Sequence, residues 1–299
     1  MSLNPVPGPD AKPRPGASCE CGCRTRARRY PTDTTDAQWA ILEPLLPVPS
    51  SHGSAGGRPE RHHRRAIIDA VFYLVDNGIK WRAMPADFPP WRTVYGLLAR
   101  WSDNVSTIEL TDRLRADLRT ALGRNPQPTA GCIDAQSVHE TAEATVENRT
   151  SGFDPHKRVN GRKRHITVDT LGLLVCVVAT AADVQDYHAA RTLLYDATRH
   201  GITHIWADKG YHRHAFIAAA HHILGITIEI VFRDPTTPGL QIRPRRWVVE
   251  RTFAWISRRR RCARDYERRT DHHETMVHWA SILTMLRRRA RLPHPTPTV

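Results

Sequence analysis

Little in this chain is apolar enough to enter a membrane. No apolar stretch approaches the ~20 residues that a spanning helix needs. The longest, Leu171 to Ala182, is short and broken by Gly172 and Thr180. The N-terminus is polar and proline-rich, without the apolar h-region of a signal peptide, so an intracellular protein is expected. Cysteine is also scarce, at six residues. Cys19, Cys21 and Cys23 alternate as C-x-C-x-C without the partner pair of a zinc site, and read as incidental reduced thiols. The neighbours of Cys132, Cys176 and Cys262 suggest buried positions. Acidic residues are outnumbered: 30 Asp and Glu face 44 Lys and Arg, for a net charge of +14 and a pI near 10.1. A partner that is a polyanion, nucleic acid first, follows from that balance. What the chain does have is length (299 residues) and a 40% hydrophobic fraction, enough for a real core.

Residues 1–29 carry five prolines and no hydrophobic periodicity, and read as a disordered tail. A helix starting after Thr35 or Asp36 aligns Trp39, Leu42, Leu45 and Leu46, and Pro47 ends it. Residues 48–57 form a link. A second helix, Arg58 to Asn77, places Ile68, Val71, Phe72 and Val75 on one face with Gly78 as its C-cap. After the turn KWRAMP, a third carries Val94, Leu97, Leu98 and Trp101. Residues 30–105 are thus expected to form a small helical unit. Closely spaced basic helices fit a helix-turn-helix, with Arg58, Arg61, Arg64, Arg65 and Arg92 as candidate phosphate contacts; a plain bundle with solvated charges explains them equally.

From 106 to 292 the pattern changes. A linking helix (Thr111–Leu122) precedes a strand at Ala130–Asp134. A hairpin follows, Lys163–Asp169 and Leu173–Ala179, turning at Gly172. Then come a helix (Asp186–His200), a strand (Ile202–Ala207), a helix (Arg213–Ile223) and a strand (Ile226–Phe232). Long helices at Pro244–Arg261 and His272–Arg291 close the unit, and 293–299 form a tail. This order predicts an α/β fold, a mixed five-stranded sheet flanked by helices, as in a ribonuclease-H-like domain.

Three acidic residues stand out. Asp134 and Asp208 end apolar strands, and Glu250 lies in the helix RRWVVERTFAW. Carboxylates at neighbouring strand ends face one crevice, and a helix beside it can add a third. Unpaired carboxylates in apolar surroundings are unfavourable, and bound cations would neutralise them. Oxygen-only ligands suit Mg²⁺ or Mn²⁺, and two such ions can drive phosphoryl transfer on DNA. The plainer readings are a turn-forming or capping Asp, and a Glu250 paired with Arg246 or Arg251. Lys209 follows Asp208 and reads as a phosphate contact. Arg246 and Arg258 flank Glu250 on one side of its helix, placed to hold a DNA strand, and neighbouring Arg251 is a further candidate DNA contact. Lys157, Arg158, Arg162, Lys163, Arg164 and His165 form a basic run that reads as a DNA contact or a solvated face. Trp247, Phe253 and Trp255 read as core.

These motifs resemble the DDE transposases of bacterial insertion sequences, in the group related to insertion sequence five. The resemblance runs from Thr32 nearly to Arg291, through TDAQWAILEPLLP, GRPERHHRRAIIDAVFYLVDNGIKWRAMPADFPPWRTVY, CIDAQSV, GRKRHITVDTLGLL, ADKGY and RRWVVERTFAWISRRRR. It implies that Asp134, Asp208 and Glu250 are the catalytic, metal-binding triad, holding two Mg²⁺ or Mn²⁺ ions. Asp134 and Asp208 lie 74 residues apart, and Asp208 and Glu250 lie 42 apart. The second interval is too short for the large β-insertion of some relatives. The family's last motif also has a Tyr, an Arg and a later Lys. Arg246 fills the Arg place, whereas Arg243 and Ser257 stand at the other two. The resemblance further implies double-stranded DNA (element ends and target) as partner, a homodimer or larger assembly on DNA, and a cytoplasmic, nucleoid-associated location. A nuclease of the same fold without strand transfer, and an inactive DNA-binding repressor, are the alternatives.

Overall fold

A computed structural model describes residues 27–49, 51, 59–103, 106–140, 150–232 and 245–292. Cys19, Cys21, Cys23, Arg58, Arg243, most of the 48–57 link and the 293–299 tail lie outside the described residues.

Four helices come first. Helix α1 (Asp36–Leu42) begins where expected because Thr35 and Gln38 form a reciprocal capping box. Helix α2 spans Arg64–Asn77, later than expected at its N-terminus, where His63 accepts from the Arg65 amide. Gly78 closes it at φ 67°, a left-handed conformation that suits glycine. Helices α3 (Trp91–Asp103) and α4 (Ser106–Ala121) complete the set. The segment between α2 and α3 holds a 3-10 turn at Trp81–Ala83. It is longer than the three- or four-residue link of a helix-turn-helix, whereas α3 ends at Asp103 and α4 begins at Ser106.

Among the described residues the sheet has six strands: β1 (Ala130–His139), β2 (Gly152–Asp154), β3 (Val159–Asp169), β4 (Leu174–Ala181), β5 (His204–Ala207) and β6 (Thr227–Ile230). Its path is β2-β3-β1-β5-β6, with β4 also pairing β3. β1, β3 and β4 are antiparallel neighbours, whereas β5 and β6 run parallel to β1. The mixed α/β layout expected from the sequence is therefore present, with one extra short strand, β2. Helices α5 (Asp186–Arg199) and α6 (His214–Leu224) connect the parallel strands, and their apolar faces meet Ile133, Val175, Ile205 and Ile228.

The C-terminal region differs from the single long helix expected at Pro244–Arg261. Helix α7 (Trp247–Ser257) stops, Arg259 adopts an extended conformation, and a short α8 (Arg260–Ala263) follows. Helix α9 (Thr270–Arg289) is buried on most sides. One continuous core joins Phe72, Leu98, Trp101 and Leu114 of the first helices to Val277, Trp279 and Leu283 of α9 and to Phe253 of α7. Trp279 lies edge-on to Phe72 and stacked on Trp101, at 5.9 and 6.0 Å. The expected N-terminal helical unit thus shares its core with the last helix. No helix among the described residues is long and apolar enough to cross a membrane.

Candidate active site

The strand carrying Asp134 does not end there, as the sequence pattern suggested; it runs on to His139. Pairing with β5 stops at Cys132–Trp206, whereas pairing with β3 continues to His139–Gly161. Asp134 therefore sits just past the point where β5 leaves β1. β5 ends at Ala207, and Asp208 caps the following 3-10 turn by accepting from the Gly210 amide at 2.8 Å. The capping role weighed for this residue is real and points its second oxygen elsewhere. Glu250 lies in the first turn of α7, where the helix dipole favours an anion.

Arg246 joins the three. Its Nη2 donates to Asp134 Oδ2 at 3.0 Å and to Glu250 Oε1 at 3.4 Å, and its Nη1 lies 3.9 Å from Asp208 Oδ2. One guanidinium thus touches all three carboxylates, where the sequence placed Arg246 on a DNA strand. Their exposures differ: the side chains of Arg246, Asp134, Asp208 and Glu250 are 6, 17, 35 and 57% exposed. Only Asp134 meets the expectation of a carboxylate in apolar surroundings. Burial pushes its pKa up to about 6, Arg246 pulls against that, and the Asp208 charge adds to it. Tyr211 is fully buried near these acids, and among the described residues its hydroxyl has no hydrogen-bond partner. Burial, then Asp134, Asp186 and Asp208, hold the phenol well above its usual range.

Local sequence explains how α7 is aimed. Arg245 adopts φ 71°, strained for a side-chain-bearing residue, and its carbonyl accepts from Cys132 Sγ at 3.0 Å. Thr252 donates to the Gly172 carbonyl at 2.8 Å, docking α7 on the β3–β4 turn. At the far end Arg164 of β3 donates to Gln136 Oε1 (2.9 Å from Nε) and Ser257 Oγ (2.9 Å). Ser257 is thus tied to the sheet. Sequence reading missed this trio because buried arginines leave no apolar signature.

Within the basic run, Lys157 and Arg158 are exposed, whereas the residues on β3 are turned inward. Arg162, Arg164 and His165 are fully buried. Arg162 pairs with buried Asp265 at 2.8 Å. Lys163 lies between Asp186 (3.2 Å) and Asp154 (3.6 Å), and donates to the Val184 carbonyl. In the N-terminal helices Arg64 pairs with Glu60 at 2.6 Å, and Arg65 with Asp36 at 2.7 Å. Arg251 donates to the Leu171 carbonyl. Arg61, Arg92, Lys209 and Arg258 are exposed. Trp247, expected in the core, is 40% exposed, whereas Phe253 is buried as expected. Cys132, Cys176 and Cys262 are buried free thiols, also as expected.

The donor set is all oxygen, which suits a hard cation; the three carboxylates surround the Arg246 guanidinium and are not drawn into one cluster with every ligand atom within 4.8 Å of the others. A separate group, Asp103, Asp271 and His272, has its potential ligand atoms within 4.8 Å of one another. Arg269 already bridges its two carboxylates.

Comparison with known proteins meets this geometry. A family model described as "Transposase DDE domain" matches residues 125–286, more than half of the chain. The chain belongs to the DDE transposases. A second model, "Putative transposase of IS4/5 family", matches residues 34–109, which puts this DDE transposase in the IS4-like group. A relative from Burkholderia cepacia, "Putative transposase for insertion sequence element IS402", is 32% identical over 138 residues. That alignment covers 41% of this chain and 62% of the relative, less than two thirds of its length. No solved structure matches the chain.

Proposed function

We propose that this DDE transposase binds the terminal inverted repeats of an insertion sequence, cleaves DNA there and joins the freed end to target DNA. The observation that carries this reading is the convergence of Asp134, Asp208 and Glu250 on Arg246 in a chain of this family. Asp134, Asp208 and Glu250 are the residues that would hold Mg²⁺ or Mn²⁺, two ions per site. Bound there, the metal supplies charge stabilisation for the attacking and leaving oxygens of phosphoryl transfer. Asp134 provides a ligand fixed by the Ala135 amide (2.8 Å) and by Arg246. Exposed Glu250 can move on its first helical turn. Arg246 offsets part of the acids' charge, and turns to a phosphate oxygen when its place among them is taken. Water opens the phosphodiester at the element end, and the freed 3′-hydroxyl attacks the target.

In this proposal residues 30–105 contact DNA through Arg61 and Arg92, residues 106–292 carry the chemistry, and Lys209 and Arg258 bind phosphates beside it. Two copies meet on DNA in the nucleoid. The test offers purified protein and Mg²⁺ a duplex ending in the inverted repeats that flank the gene. Wild type is expected to cleave and transfer strands, and Asp134→Asn and Glu250→Gln to bind without either. Cleavage without transfer would favour a nuclease. Binding without chemistry by the wild type would favour a repressor, and full activity of Glu250→Gln would refute the triad.

A further inference from the structure

The outer side of α7 carries a feature that the carboxylate site does not use. Arg251 lies with its guanidinium 4.2 Å from the ring centre of Trp247 and 4.5 Å from that of Trp255. Arg288 of α9 lies over the same Trp255 ring at 5.4 Å. The result is a ladder of alternating aromatic rings and guanidiniums. It begins at Trp247, three residues before Glu250. Along the exposed side of the helix Glu250, Ala254 and Arg258 follow at four-residue steps, one turn apart. The small side chain of Ala254 leaves the path between the two charged residues open.

The ladder's charge is unbalanced. Arg251 and Arg288 both donate to one carbonyl, that of Leu171, at 2.9 and 3.3 Å. Among the described residues neither has a carboxylate within ion-pair distance. The nearby acid Asp169 is fully buried and already held by Arg119 and by the amides of Leu171 and Leu173. Among the described residues, buried Arg251 Nε has no hydrogen-bond partner. Burial and then the Arg288 charge hold the Arg251 pKa below its usual value. Two cations meeting at one neutral oxygen call for an anion. A phosphodiester supplies one, and the aromatic rings beside it suit a base.

We propose that this ladder is a track for a single DNA strand leaving the carboxylate site, its backbone crossing the Arg251–Arg288 pair and an unpaired base stacking on exposed Trp247. The inference rests on the DNA reading above and adds the form of the substrate. Bases inside a duplex have their faces covered by their neighbours, whereas an unpaired base offers its face to an aromatic side chain. The strand freed beside a cut is such a substrate.

The test measures binding of the full chain in EDTA, so that no chemistry intervenes, to fluorescent oligo-dT and to a mixed-sequence duplex across a salt titration. Wild type is expected to bind both with salt-dependent affinity. Trp247→Ala is expected to lose on the order of 10-fold for oligo-dT and to hold the duplex within about twofold. Trp247→Phe keeps most of the single-strand affinity. Arg288→Ala is expected to flatten the oligo-dT salt slope by about 0.7, the contribution of one single-strand phosphate. Circular dichroism checks that each variant is folded. Folded Trp247→Ala and Arg288→Ala proteins that bind oligo-dT like wild type would overturn the track and leave the DNA reading standing. A wild type that binds neither polymer would overturn both.

Discussion

Replacing Asp134 by Asn should make the metal-free protein more stable at neutral pH. The folded carboxyl is raised from 3.8 to about 6, with burial the largest cause. At 1.36 kcal/mol per pKa unit, the ionised form is disfavoured in the fold by about 3 kcal/mol. The sign follows from proton binding. Below about pH 4 folded and unfolded chains both hold the proton. Between there and about pH 6 only the folded chain does, so stability falls as pH rises through that window. Above it the full penalty is present. Asn keeps the shape and an oxygen for the Ala135 amide, and carries no charge to desolvate or to repel Asp208. Urea unfolding of both proteins in EDTA, followed by the fluorescence of the eight tryptophans, should show the variant ahead by about 3 kcal/mol at pH 8 and level with wild type near pH 4. Added Mg²⁺ should stabilise wild type, whose ionised carboxylate it favours, and close most of the gap. A variant no more stable than wild type at pH 8 in EDTA would refute this account of the site.

Three further outcomes follow from the packing. Glu274 accepts from the Ala179 amide at 2.7 Å, and burial raises its pKa from 4.5 to about 7. Glu274→Gln should therefore unfold at higher urea than wild type at pH 8 and at the same urea near pH 4. Lys163→Met should cost about 1–3 kcal/mol, because Asp154 and Asp186 lose their shared partner. It should leave DNA affinity unchanged, whereas a phosphate-binding Lys163 would give the opposite pair of results. Trp279→Ala should cost about 3–5 kcal/mol and lower the single unfolding transition as a whole. A separate early transition for the N-terminal helices would contradict the shared core.

Elements whose period matches their burial were legible: α2, α3, the β3–β4 hairpin, α5 and α6 were all readable from apolar spacing and glycine caps. The strand β2 was not, since Gly152–Asp154 is short and owes its pairing to β3. Helix α7 was overextended in the reading because its Arg-rich end continues a helical composition, while Arg259 turns out of the helix to reach Asp76. At the site the three carboxylates could be named from strand ends and motif spacing. The position of Arg246 could not, because whether a guanidinium faces a phosphate or three acids depends on how α7 docks. The charges of β3 misled for the same reason. Arg162 and Arg164 look like surface cations until Asp265 and Gln136, distant in sequence, are brought to them.

The core shared between the first helices and α9 bears on timing. A ribosome delivers residues 36–121 long before residues 270–289. Until α9 arrives, Phe72, Trp101 and Leu114 lack the partners that cover them. The N-terminal helices are therefore expected to complete their packing only with the last helix, and a chain truncated ahead of α9 leaves the faces that α9 covers open to water. A fragment of this protein that stops early would be a target for proteolysis rather than a DNA-binding competitor of the whole.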